Sequence, residues 1–161
     1  MKNLRLLLFL ASALCTALAC QSETEEANIN QDKYIDAYIT ANFADNQVYY
    51  EDGVCRVVLQ EGAQGAPVIE RGDSVYLYYA AFTFTEKGPS TQFAADSGMV
   101  RVGTGDLVKG LDTGLPGARL GEEALIIFSA DDGFGNKAVG IVPENTALLY
   151  DVGIAAIKKN K

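Results

Sequence analysis

Histidine is absent from all 161 residues, which removes most of the side-chain chemistry a small protein could run. Without imidazole there is no Ser-His-Asp or Cys-His arrangement, and no histidine-ligated metal. Other motifs fail on spacing. Gly103-Thr104-Gly105 opens like a dinucleotide fingerprint, but Val108 stands where glycine is needed, and no Lys-Ser/Thr pair completes a phosphate loop. Asp131-Asp132-Gly133 lacks the alternating oxygen ligands and closing Glu of a calcium loop and reads as a turn. What remains is the stretch Gly103 to Gly135, where shape rather than reactivity is the resource. Leu107, Val108 and Leu111 share one face of a short helical run that stops at Gly114-Leu115-Pro116-Gly117. After a turn at Leu120-Gly121, Ala124 to Phe128 reads as a strand with Ala124, Ile126 and Phe128 on one side. A short helix against an apolar strand encloses a small apolar hollow, the expected working site. It calls for no cofactor and no metal.

The elements around that stretch are those of one domain with appendages. Apolar residues make up 48% of the chain, enough for a core. Lys2 and Arg5 precede the apolar run Leu6 to Leu10, and small residues lead to Ala19, so residues 1–19 read as a secretory signal too short to span a membrane. Ala17-Leu18-Ala19-Cys20 resembles a bacterial lipobox, with Ala17 in the usual leucine's place. Cys20 is then the lipidated first residue of an anchored protein; the alternative is an ordinary signal with an unmodified thiol. Gln directly after that cysteine disfavours inner-membrane retention. The expectation is therefore a lipid-anchored protein of a Gram-negative cell envelope, at the outer membrane, on its periplasmic face or the cell surface. With Cys15 lost and Cys20 acylated, Cys55 has no disulfide partner and reads as a buried, inert thiol. Loss of Lys2 and Arg5 leaves 11 basic against 21 acidic residues, a net charge near −10 that argues against nucleic acid.

Residues 20–32 are polar and acidic, a solvated tether. Residues 33–70 follow as a helix and hairpin extension. Lys33 to Asn46 places Tyr34, Ile35, Tyr38, Ile39 and Phe43 on one side of a helix that packs on its own domain or binds a partner. Val48–Tyr50 and Val54–Leu59 flank Glu51-Asp52-Gly53 as a β-hairpin. Residues 71–161 form the main domain. Its longest strand, Val75 to Phe84, sets Val75, Leu77, Tyr79 and Ala81 on one face and Tyr76, Tyr78, Ala80, Phe82 and Phe84 on the other. Both faces are apolar, so the hollow is expected on the first and the Lys33–Asn46 helix over the second. Lys87 to Ser90 reads as a loop, Val100 to Val102 as a short strand, and Leu148 to Ile157 as the last strand. Short strands with one short helix make an α+β domain with a mostly antiparallel sheet.

The pieces GDSVYLYYAAF (72–82), Phe93, VGTGDLVKGLDTGL (102–115), LGEEALIIFSADDGFG (120–135) and GIVPENTALLYDV (140–152) resemble, in order and spacing, an FKBP-type peptidyl-prolyl cis-trans isomerase. The lead-in is similar to that of bacterial lipoprotein members. The resemblance implies a five-stranded antiparallel sheet wrapped around the short helix. It implies a proline pocket made of Tyr79, Phe93, Val108, Phe134, Ile141 and Tyr150, with Leu107 and Val142 at its rim. Leu111 replaces the indole of the pocket floor, and the Val108 N–H would donate to a substrate carbonyl. Ala94 stands in place of an acidic residue, Phe134 in place of a tyrosine, and Gly98-Met99 where an aromatic is usual; the loop Asn136–Val139 is short. Those departures imply a modest enzyme that binds proline-containing polypeptides and assists the folding of exported proteins. The alternative is a non-catalytic peptide-binding module of an envelope assembly. Any one of these aromatics could also be plain core. Nothing in the sequence sets an oligomeric state.

Overall fold

The computed structural model describes residues 30–160, so the expected signal (1–19), Cys20 and most of the expected tether lie outside the described residues. The first helix, α1, covers 30–42; it begins earlier than Lys33, takes in the last residues assigned to the tether, and ends short of Asn46. Its buried positions Gln31, Ile35 and Ile39 are four apart, one stripe of a helix surface. A hairpin follows, β1 (Val48–Glu51) and β2 (Val54–Gln60). Then come β3 (Ser74–Thr85), β4 (Gly88–Arg101), α2 (Lys109–Gly114), β5 (Glu123–Phe128) and β6 (Ala147–Lys158), with a 3-10 turn at Ala130–Asp132.

All strands join one antiparallel sheet in the order β1-β2-β5-β6-β3-β4. The fold class is the α+β one expected, with six strands in place of five. The hairpin is no appendage: β2 pairs with β5, Cys55 opposite Ile127 and Val57 opposite Leu125, so the hairpin extends the main sheet. The other difference is β4. Pro, Ser, Thr, Gln and small residues give GPSTQFAADSGMVR little strand propensity, and only its end was legible as a strand. Pairing with β3 from Ser74–Arg101 to Thr85–Gly88 imposes the conformation. As the outermost strand it also tolerates Pro89.

Alternation along the strands sorts the core into two layers. On the front, Val54, Val75, Leu77, Ala81, Ile126 and Phe128 pack with Leu111 and Leu115 from α2 and the segment after it. On the back, Cys55, Val57, Leu125, Ile127 and Leu149 pack under Ile35 and Ile39 of α1. The expected cover for the second face of β3 is therefore partial. Phe84 lies under α1, with Tyr34 and Tyr38 against it at ring-centroid distances of 6.0 and 5.1 Å, but Tyr78 remains 57% exposed. A helix of this length spans only about 20 Å, and α1 lies over β2, β5 and β6, reaching just the end of β3.

Candidate functional site

The concave front face is set by how closely α2 approaches the sheet. Gly110 faces Phe128, and a methyl group in its place would overlap that ring. Gly114 does the same against Ile126, where a Cβ would come within 2.6 Å of the side chain. Glycines weaken a helix, yet here they lower it onto the strand. The loop before α2 is braced from the helix itself. Asp112, buried, accepts from the Gly103 N–H through Oδ1 and from the Gly105 N–H through Oδ2, both at 2.8 Å. Val108 is the residue before the first turn (φ −59, ψ 140). Among the described residues its N–H has no backbone acceptor, as a helix-start amide free to meet a ligand carbonyl would have.

Beside α2, four rings from four parts of the chain meet. Tyr79 and Tyr150 have centroids 5.9 Å apart, Phe93 and Tyr150 6.0 Å, and Phe93 and Phe134 6.1 Å, the last two edge-to-face. Such arrangements suit aromatic quadrupoles. Tyr79 comes from β3, Phe93 from β4, Phe134 from the loop after β5, and Tyr150 from β6. Tyr79, Phe93, Leu107, Val108 and Phe134 are half-buried around the buried Leu111 and Tyr150. These rings and aliphatics form a partly exposed apolar patch beside α2, at the place of the expected cup. Burial, with the neighbouring Tyr79 adding, pushes the Tyr150 hydroxyl up to about 12, so it stays neutral at ordinary pH.

Ile141 and Val142 exchange the places expected of them. Val142 is buried in the front core, whereas Ile141 is 66% exposed. The backbone explains it. Val139 and Val142 exchange two hydrogen bonds of 3.0 Å, closing a tight turn whose tip is Gly140-Ile141, with Gly140 at φ +59. Ile141 therefore stands at the rim. Cys20 lies outside the described residues.

Three residues around the cup escaped the sequence reading of the site. Phe128, fully buried, stacks on Tyr150 at 5.8 Å and 17°, supporting it from beneath. Its alternation with Ile126 placed it on the correct face without revealing that role. Asp112 gave no periodic signal, because its work is with backbone amides. Gln31 accepts from the Ala130 N–H and donates to the Asn145 carbonyl, each at 2.8 Å; its spacing from Ile35 and Ile39 was the available clue.

A second concavity, of about 850 Å³, lies beyond α2 on the hairpin side, and is polar. Tyr49, Arg56, Glu61, Thr113, Arg119 and Glu122 are among its walls. Arg56 and Glu122 form a buried ion pair there, and the Arg56 guanidinium lies 4.5 Å from the Tyr49 ring centroid. That volume is larger than a prolyl residue needs, but its lining would keep an amide wet. No group of three or more His, Cys, Asp or Glu side chains suited to a metal occurs among the described residues.

The family model for FKBP-type peptidyl-prolyl cis-trans isomerases matches residues 66–155. The chain is 34% identical over 109 residues to FK506-binding protein 1A of Neurospora crassa, covering 66% of this chain and 90% of that protein. It is 33% identical over 113 residues to a peptidyl-prolyl cis-trans isomerase of Schizosaccharomyces pombe, covering 68% and 98%. Among solved structures, the N-terminal domain of FKBP42 from Arabidopsis thaliana superposes with a TM-score of 0.62 at 20% identity, covering 71% of this chain and 94% of that one. At that identity the likeness is one of fold.

Proposed function

Because this chain belongs to the FKBP-type peptidyl-prolyl cis-trans isomerase family, we propose that the cup between α2 and the four rings is where it turns prolyl bonds, and that its substrates are exported polypeptides. The observation that carries the reading is the run of ring contacts Tyr79–Tyr150–Phe93–Phe134, each ring about 6 Å from the next, beside a Val108 amide that has no backbone acceptor among the described residues.

Peptide-bond rotation is slow because resonance gives the C–N bond double-bond character, with a barrier of ~18–20 kcal/mol. Resonance separates charge, and water stabilises the planar form that carries it. The twisted amide has less charge separation, so a cup that excludes water disfavours the planar form relative to the twisted one. Proline suits such a site, since its cis and trans forms differ by only ~0.5–1 kcal/mol. The Val108 N–H holds the substrate carbonyl while the prolyl ring sits on Tyr150 over Leu111, with Tyr79, Phe93 and Phe134 as walls. Nothing in this scheme moves a proton. A thousandfold acceleration asks for about 4 kcal/mol, which desolvation and shape together supply.

The envelope setting rests on sequence. Lys2, Arg5, the run Leu6–Leu10 and Ala17-Leu18-Ala19-Cys20 support export and lipidation at Cys20, with residues 21–29 as a spacer that holds the domain off the membrane. Replacing Cys20 with Ser in the full chain tests this: the protein should leave the membrane fraction and cease to take up labelled palmitate. Equal membrane association of both chains would count against the anchor.

A second reading is a non-catalytic module that grips proline-containing segments in the same cup, and Phe134 favours it by offering no hydroxyl to the ligand. A protease-coupled assay on Leu-Pro and Phe-Pro peptides decides. Acceleration over the thermal rate supports the isomerase; peptide binding without acceleration supports the module.

A further inference from the structure

The segments that carry Phe134 and Ile141–Val142 are closed at their base by a ring of four hydrogen bonds, and one of its corners is a side chain from outside the family-matched region. Ala130 donates its N–H to Gln31 Oε1 at 2.8 Å. Gly135 donates to the Ala130 carbonyl, and Asn145 to the Gly135 carbonyl, each at 2.8 Å. Gln31 Nε2 donates to the Asn145 carbonyl at 2.8 Å, which completes the ring. Phe134 hangs from the arm between Ala130 and Gly135, and Ile141 and Val142 belong to the loop between Gly135 and Asn145.

We propose that Gln31 is a positioning residue for the prolyl cup: by closing this ring it sets the distance between the loop bearing Phe134 and the loop bearing Ile141 and Val142. Its placement is suited to that role. Gln31 is 6% exposed and Ala130 1%, so water cannot readily replace the bond between them, and an unpaired buried N–H is costly; the bond to the exposed Asn145 is part-buried. Both ends of the amide are used, one accepting and one donating, which neither a carboxylate nor an apolar side chain of the same length can do. Ile35 and Ile39, on the same face of α1 and buried against the back of the sheet, fix where that amide can reach. The other flank of the 3-10 turn is held from α2 by the Lys109–Asp132 ion pair at 2.6 Å. The loop carrying Phe134 is thus pinned from both sides, by α1 behind and α2 in front.

The inference rests on the cup being the prolyl site, so its test reads substrate and structure separately. In the full chain, Gln31→Met keeps the length and removes both hydrogen bonds, while Gln31→Glu keeps the acceptor for Ala130 and loses the donor to Asn145. Ile39→Val serves as a control that loosens α1 without touching the ring. The expected result is a KM for a Phe-Pro peptide raised roughly tenfold by Gln31→Met and less by Gln31→Glu, with kcat nearly unchanged and KM unmoved by Ile39→Val. Faster amide exchange at Gly135 and Asn145, with β5 amides unaffected, is expected in both Gln31 variants. If KM follows thermal stability alone, so that Ile39→Val raises it as much per degree lost, the positioning role is overturned. Should the wild-type chain neither turn nor bind the peptide, the prolyl reading fails, and the exchange pattern still decides the ring: unchanged protection at Gly135 and Asn145 would refute it.

Discussion

At the residue scale the account depends on what each ring and aliphatic contributes to a site with no reactive group. Leu111 is 4% exposed beneath the cup; Leu111→Ala should cost about 2–5 kcal/mol in urea unfolding and lower kcat/KM. Phe134 and Ala94 are the two positions where a polar handle is missing, and both pack at the wall. Phe134→Tyr with Ala94→Asp should raise peptide affinity or turnover in the coupled assay, and a double variant that moved neither would show that these positions do not face the substrate. Cys55 is 4% exposed, and burial, with Asp36 and Asp32 adding, pushes its thiol from 9.0 up to about 12. A folded value above the unfolded one means that its contribution to stability is complete below pH 9.0 and is lost as pH rises towards about 12. Native Cys55 should therefore resist alkylation, read by mass spectrometry, until the chain unfolds. The family resemblance made Tyr79, Phe93, Phe134 and Tyr150 legible as a set, and their rings lie in a run of contacts of about 6 Å. Gln31 was not, because its spacing from Ile35 and Ile39 puts it on their stripe of α1 without saying that its amide would hold a distant loop.

At the scale of elements, glycine content and helix position decide the shape of the cup. Gly110 and Gly114 let α2 sit on Phe128 and Ile126. Gly110→Ala improves helix propensity yet should destabilise the protein by about 1–3 kcal/mol through overpacking and raise the peptide KM as α2 lifts; a gain in stability would mean that the helix has room to spare. Helix α1 covers Cys55, Val57, Leu125, Ile127 and Leu149. Deleting residues 30–46 should expose that face and yield aggregated protein in sedimentation, and a soluble truncated chain of unchanged Tm would contradict this. Period-2 and period-3.6 patterns revealed α1, β2, β3, β5 and β6, since each has one or two faces that must be dry. They missed most of β4, which borrows its conformation from β3 and carries no apolar alternation of its own.

At the scale of the whole molecule, one short helix laid across the sheet separates an apolar site towards β3, β4 and β6 from a polar concavity of about 850 Å³ towards the hairpin. The polar concavity is built round the Arg56–Glu122 pair, and no sequence pattern announced it, because its partners are 66 residues apart. The family was legible because its motifs are distributed over all the elements that wall the apolar site. Nothing among those walls has to gain or lose a proton, and Tyr150 titrates only at about 12. The most direct measurement is kcat/KM for isomerisation of a Phe-Pro peptide as a function of pH, from about 6 to 9, a range in which a general acid or base would leave its titration on the profile. The account predicts acceleration over the thermal rate with a flat profile across that range. No acceleration, or a rate that rises or falls with a group titrating near neutrality, would contradict it.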